Sequence, residues 1–206
     1  MSFSDLGLPP SLIEKLDALG YKEPYPIQKE AIPAILQRKD VLGIAQTGSG
    51  KTASYVLPIL QNMQGNTISK NRHIKVLVLI PTRELAAQVR EVFHVFASGL
   101  PQKVKSLAVF GGVSINPQMM ALQGVNVLVA TPGRLLELVS TNAVHLSEID
   151  TLVLDEADKM LNLGFKDEMQ KIFELLPKKR QNLLFSATLS EDLDGIKQML
   201  LRNATV

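Results

Sequence analysis

Val41-Leu42-Gly43-Ile44-Ala45 runs without a break into Gln46-Thr47-Gly48-Ser49-Gly50-Lys51-Thr52, and the reading of this stretch decides the fold. Its first half is a short apolar run of the kind that forms a buried strand. Its second half is a phosphate-binding loop that departs from the usual pattern only by alanine in place of the first glycine. Gly48 and Gly50 let the backbone curl until successive N–H groups point at one anion. A helix expected to open near Lys51 adds its positive dipole end. Lys51 is then placed to reach the β- and γ-phosphates, and the Thr52 hydroxyl to meet Mg2+. The bland alternative is a glycine-rich turn with a chance lysine.

Outward from this stretch the same alternation repeats. Residues 76–80, 107–110, 125–130, 152–154 and 183–185 are further strand candidates, too uniformly apolar to have a wet face. Amphipathic stretches at 85–96, 135–139 and 168–176 separate them. This order predicts an α/β fold of the P-loop NTPase kind, a mostly parallel sheet with helices on both faces and ligands beyond the carboxyl ends of the strands. Two helices should precede the first strand. One spans 11–19 and stops at Gly20; the other spans 26–36 with Pro26 at its first turn. Pro33 inside the second predicts a kink or a shifted start. The polar segment 61–75 reads as an exposed, mobile loop.

Composition narrows the chemistry. The 206 residues are 46% hydrophobic and 20% charged, in the range of a globular domain. Twenty-two Lys+Arg against twenty Asp+Glu leave +2, which excludes a uniformly basic nucleic-acid wrapper but not a local basic face. The absence of cysteine excludes disulfides, thiolate metal sites and thiol catalysis. With no secretory pattern at Met1-Ser2-Phe3-Ser4-Asp5 and no long apolar run, the chain is expected in the cytoplasm with no membrane partner. His73, His94 and His145 share no ligand spacing. The methionines, including Met119 and Met120, read as core filling.

Leu152-Val153-Leu154 ends in Asp155-Glu156-Ala157-Asp158. Phosphoryl transfer to water needs a carboxylate near Mg2+ and a group that orients the water. Asp155 suits the first role, through a bridging water, and Glu156 the second. The alternative is that acids merely favour the first turn of a helix over 156–163.

At this point the chain resembles a DEAD-box RNA helicase, in its amino-terminal RecA-like domain. The residues that carry the resemblance are Asp155 to Asp158, Gly20-Tyr21 through Pro24-Tyr25-Pro26-Ile27-Gln28, Pro81-Thr82-Arg83-Glu84-Leu85, Gly111-Gly112, Thr131-Pro132-Gly133-Arg134 and Ser186-Ala187-Thr188. The resemblance implies that Gln28 reads the adenine edge and Tyr21 stacks on its face, with residues 3–28 forming the Q-motif region. Tyr25 stands where the family usually has threonine or serine, which leaves any hydroxyl contact from that site open. It implies ATP and Mg2+ as cofactors, with Thr52 and Asp155 toward the metal. Pro81, Thr82, Arg83, Gly111, Gly112, Thr131, Pro132, Gly133 and Arg134 would hold an RNA backbone, without reading its sequence. Asp158, Ser186 and Thr188 would couple the two ligands. A second RecA-like domain would complete the enzyme, so the chain resembles one half of a monomeric ATP-dependent helicase. By itself that half should be nearly inactive. On the residues alone, Thr131 reads as a helix N-cap with Pro132 next, a helix start that suits a backbone phosphate, with Arg134 adding charge. Competing readings are a nucleotide-switched RNA clamp without turnover, or another P-loop enzyme such as a small-molecule kinase or a GTPase. The chain has no Asn-Lys-x-Asp guanine signature.

Overall fold

The computed structural model describes residues 1–65, 71–201 and 205. Six strands form one sheet: β1 (Val41–Ile44), β2 (Val76–Leu79), β3 (Ser106–Val109), β4 (Val127–Ala130), β5 (Thr151–Leu154) and β6 (Gln181–Ser186). Their order is β1-β6-β5-β2-β4-β3, and every pairing is parallel. All six strand candidates from the sequence are present.

The uniform hydrophobicity of the strands follows from burial on both faces. Val76 and Val78 of β2 point into one core with Val127, Val129 and Val153. Leu77 and Leu79, between them, point into the other with Leu128, Leu152 and Leu154. Helices α1 (Pro10–Ala18), α2 (Pro26–Leu36), α3 (Lys51–Met63) and α4 (Arg83–Ala97) cover the first face. Helices α6 (Pro132–Ser140), α7 (Ala157–Asn162), α8 (Lys166–Leu175) and α9 (Glu191–Leu200) cover the second.

Three local expectations need correction or limits. Pro33 lies inside α2 without moving its start from Pro26. The loop expected over 61–75 is shorter, because α3 continues to Met63; residues 66–70 lie outside the described residues. The methionine pair falls on α5 (Ile115–Ala121), which buries no residue fully. Met120 there is 78% exposed, so it fills no core. Among the described residues, no helix is long and apolar enough to cross a membrane.

Candidate nucleotide and RNA site

Parallel strands deliver all their carboxyl ends to one edge of the sheet. Along that edge β1, β6 and β5 end in the loop 45–50, in Ser186-Ala187-Thr188 and in Asp155. The neighbouring strands β2, β4 and β3 end at Pro81, Thr131 and Gly111. The motifs are thus sorted into two adjoining groups.

In the first group, Gly48 and Gly50 both hold a left-handed backbone, φ +80° and +79°. Gly50 is also the residue before α3, whose first N–H groups have no carbonyl one turn back. A side chain at Gly50 would strike neighbours: a Cβ would lie 2.5 Å from Gln28 Nε2 and 2.7 Å from Tyr25 Cδ2. Tyr25, the departure from the family pattern, therefore packs its ring over the end of the loop. Gln28 is completely buried. Its Oε1 accepts from the Tyr25 N–H at 2.9 Å, and its Nε2 donates to the Gly50 carbonyl at 3.0 Å. That leaves one N–H and one lone pair on the amide for a base edge. Both are out of solvent.

Lys51 and the acids, 105 residues apart for Glu156, meet at the carboxyl edge. Lys51 Nζ lies 3.1 Å from Asp155 Oδ1 and 2.9 Å from Glu156 Oε1, with the lysine only 6% exposed. Burial lowers the lysine's affinity for its proton, but Asp155 and Glu156 more than offset this and hold it above the usual lysine range. Burial pushes the Asp155 carboxyl up, against the opposing pull of Lys51 and Tyr55. Tyr55, one turn after Lys51 on α3, donates its hydroxyl to Asp155 Oδ2 at 2.8 Å. Its ring is wedged beside Phe185 and Phe93, with centroids 5.2 and 6.5 Å away. The Asp155 carboxylate also accepts the N–H of Glu156 at 2.9 Å. That closure accompanies a left-handed backbone at Glu156, φ +57°, rare for a residue with a side chain.

Tyr21, Thr47, Gly48, Lys51, Thr52 and Glu156 line one cleft of about 320 Å3, with Gly50 and Asp155. Gln46 and Ser49 stay on the loop, where the Ser49 hydroxyl donates to the Gln46 carbonyl at 2.7 Å. Tyr21 stands edge-on to Phe3 and Phe96. Gln88, Val89 and Val92 of α4 line the same cleft. Sequence reading passed over Gln88 and Tyr55. Tyr55 was findable, because a helical residue four after the loop lysine shares its face. Gln88 carried no such signal.

Behind the acids, Thr188 Oγ1 donates to Asp158 Oδ2 at 3.0 Å, and the Lys159 N–H donates to Asp158 Oδ1 at 3.0 Å. Partial burial pushes Asp158 up, yet Thr188, Lys159, Ser186 and Ala187 together hold it below the usual carboxylate value. Ser186 supports that charge from nearby. Its own hydroxyl is buried, with no partner at hydrogen-bonding geometry among the described residues.

The second group is built differently. Pro81, Arg83, Gly111, Thr131, Gly133 and Arg134 line a cavity of about 330 Å3, shared with Glu137 and two phenylalanines. Thr82 caps α4, its hydroxyl accepting from the Leu85 N–H at 3.3 Å. Gly112 is left-handed, φ +79°, beside Gly111. Thr131 occupies the cap position of α6 with Pro132 next, but its hydroxyl makes no capping bond. Arg83 is exposed, with its Nε 3.1 Å from Glu84. Arg134, expected to add charge at the start of α6, turns its guanidinium inward. It is buried to 6% exposure, and its guanidinium donates to Glu137 Oε2 at 2.8 Å, Gln118 Oε1 at 3.0 Å and the Val113 carbonyl at 2.8 Å. Gln118 in turn pairs with both the N–H and the carbonyl of Phe110, next to Gly111. Arg134 therefore pins the glycine loop to α6.

Among the described residues no group of three metal-ligating side chains occurs. What does occur is a cleft that gathers loop N–H groups, a lysine, a threonine hydroxyl and two carboxylates. Lys51 already stands in for a cation beside Asp155.

The profile of the DEAD/DEAH box helicase family matches residues 25–196. The chain is 44% identical over 204 residues to the ATP-dependent rRNA helicase rrp3 of Sclerotinia sclerotiorum, covering 98% of this chain and 41% of that protein. It is 42% identical over 204 residues to the DEAD-box ATP-dependent RNA helicase RhpA of Helicobacter pylori, covering 98% and 40%. A solved DEAD box protein from the hyperthermophile Methanococcus jannaschii superposes with a TM-score of 0.91 at 32% identity, across 100% of this chain and 55% of that one. The chain thus spans about two fifths of the curated relatives. With the motif order, the parallel sheet and the profile in agreement, the chain belongs to the DEAD/DEAH box helicase family.

Proposed function

We propose that this domain binds ATP with Mg2+ on one half of its carboxyl edge and an RNA backbone on the other. With a second RecA-like domain it would use ATP hydrolysis to open short RNA duplexes. The observation that carries the reading is the meeting of Lys51 with Asp155 and Glu156 in the cleft that the glycine loop borders.

The residues suggest how the work is divided. Lys51 exchanges its carboxylate partners for the β- and γ-phosphates, assisted by the N–H groups at the start of α3. Freed of Lys51, Asp155 is left with the Tyr55 hydroxyl and the Glu156 N–H to fix its orientation. Thr52 and Asp155 are the residues that would face Mg2+, whose contribution when bound is to neutralise charge developing on the phosphates. Glu156, released by the same exchange, orients the attacking water. Asp158, Ser186 and Thr188 link this movement to the neighbouring strand ends. The RNA half offers the N-termini of α4 and α6 and the Gly111-Gly112 backbone to phosphates, which favours binding independent of sequence. A cytoplasmic monomer is consistent with this reading.

The test is nucleotide titration of this chain with fluorescent analogues. Lys51→Ala should abolish detectable binding. Gln28→Ala should retain binding but erode the preference for ATP over GTP. Equal binding by the Lys51 variant would remove the ATP site, and unchanged base preference would remove Gln28 as the adenine reader.

A further inference from the structure

The opposite edge of the sheet, where the strands begin, carries a second concentration of charge. Residues 37–40 lead into β1 and residues 177–180 into β6. Because β1 and β6 are parallel neighbours, these two loops lie side by side. Between them opens a cavity of about 560 Å3 lined by Arg38, Lys39, Lys178, Lys179 and Arg180, with Asp40 as its single acid among the described residues. Five cations against that one lining carboxylate, with Arg38 also 3.9 Å from Asp150, still leave a local excess in a chain whose net charge is only +2. Asp40 turns its charge inward, since its Oδ1 accepts the Asn182 N–H at 2.8 Å and the residue is nearly buried.

The two loops are latched together. Gln181 Nε2 donates to the carbonyls of Lys39 at 2.7 Å and Ile35 at 3.1 Å. Arg180 folds back onto the Pro177 carbonyl at 2.7 Å and Asn182 Oδ1 at 2.8 Å. Arg38, in a left-handed conformation at φ +60°, reaches the Asn62 carbonyl at 3.2 Å. On this fixed floor Lys39, Lys178 and Lys179 stand exposed at the rim, in no ion pair among the described residues.

We infer that this cavity is a second anion site, which holds the phosphodiester backbone of RNA lying outside the motif edge. The inference rests on the RNA reading proposed above. The lining favours phosphates over bases: it has no aromatic side chain on which a base could stack. Exposed lysines act as point charges and suit repeated phosphates rather than one shaped ligand. The lining also lacks the large apolar side chains that form the centre of protein–protein contacts. An RNA strand held here does not compete with nucleotide, because the phosphate loop lies at the other end of β1.

The test compares this chain with its Lys39→Glu/Lys178→Glu/Lys179→Glu variant, binding labelled single-stranded RNA across a potassium chloride series. All three positions are exposed, and nucleotide titration in the same samples reports that the fold is intact. At low salt the variant should bind RNA about tenfold more weakly, and its log K against log salt slope should flatten by roughly two, at ~0.7 for each phosphate no longer neutralised. Wild-type binding to RNA with an unaltered slope in the variant overturns this site and leaves the proposed function standing. A wild-type chain that binds no RNA at any salt removes the RNA reading itself, and this site with it. Displacement of RNA by polyglutamate as readily as by unlabelled RNA would make the occupant an acidic protein. Tighter binding of inorganic polyphosphate than of RNA, abolished in the variant, would make it a free polyanion. Either result overturns the assignment to RNA.

Discussion

The two halves of the carboxyl edge arrange their charges in opposite ways. On the nucleotide half, the charges already face one another, with Lys51 held between Asp155 and Glu156. On the half proposed for RNA, the buried charge of Arg134 is turned into the protein, and helix starts and glycine backbone face outward. A ligand on the first half must therefore displace an existing ion pair before it gains its own contacts. A ligand on the second half meets groups already in place. The difference predicts conditional binding on one side and weaker, unconditional binding on the other.

Arg134→Ala is the strongest attempt to break this contrast. It removes three hydrogen bonds and should destabilise the fold by about 3 kcal/mol. RNA affinity should fall severalfold while nucleotide affinity holds. Arg134→Lys should not restore either property, because an ammonium cannot reproduce the planar fork. Thermal melts with paired RNA and nucleotide titrations check this. A lower salt slope at unchanged stability would instead make Arg134 a direct phosphate ligand.

Tyr55→Phe sharpens the nucleotide side. The ring still packs against Phe93 and Phe185, but Asp155 loses a donor. The expected loss is ~1–2 kcal/mol of stability, with a severalfold drop in Mg-nucleotide affinity and no change in RNA binding. Calorimetric titration with and without magnesium would show whether Asp155 depends on that hydroxyl.

The smallest effect concerns the link between the halves. Asp158 is held below its ordinary value of 3.8, so the stability it contributes is full above that value and is lost as pH falls through its folded value. Thr188→Val should lower stability near neutral pH by less than ~1 kcal/mol, given partial exposure. The gap to wild type should close in acid. Denaturant melts across pH would expose the reverse trend if the sign were wrong.

Much of this was legible in the sequence because buried parallel strands leave little choice of residue. All six apolar runs became strands, and the loop, the acids and the hydroxyl motif arrived at one edge. Helix α5 was illegible for a complementary reason: it buries nothing fully, so no periodicity marks it, and of its methionine pair Met119 packs against the core while Met120 is exposed. The inward turn of Arg134 was equally hidden. Two of its partners lie 16 and 21 residues upstream, and spacing along one helix cannot reveal them. Tyr55 lay within reach, one helical turn from Lys51.

Glu156 holds a backbone shape that costs a side-chain-bearing residue about 1 kcal/mol or more. Glycine there would relax the turn, but it would also erase the carboxylate that holds the buried Lys51 at 2.9 Å. Under the proposed function the strained turn and the acid it carries come together, so added stability for this domain must be gained at other positions.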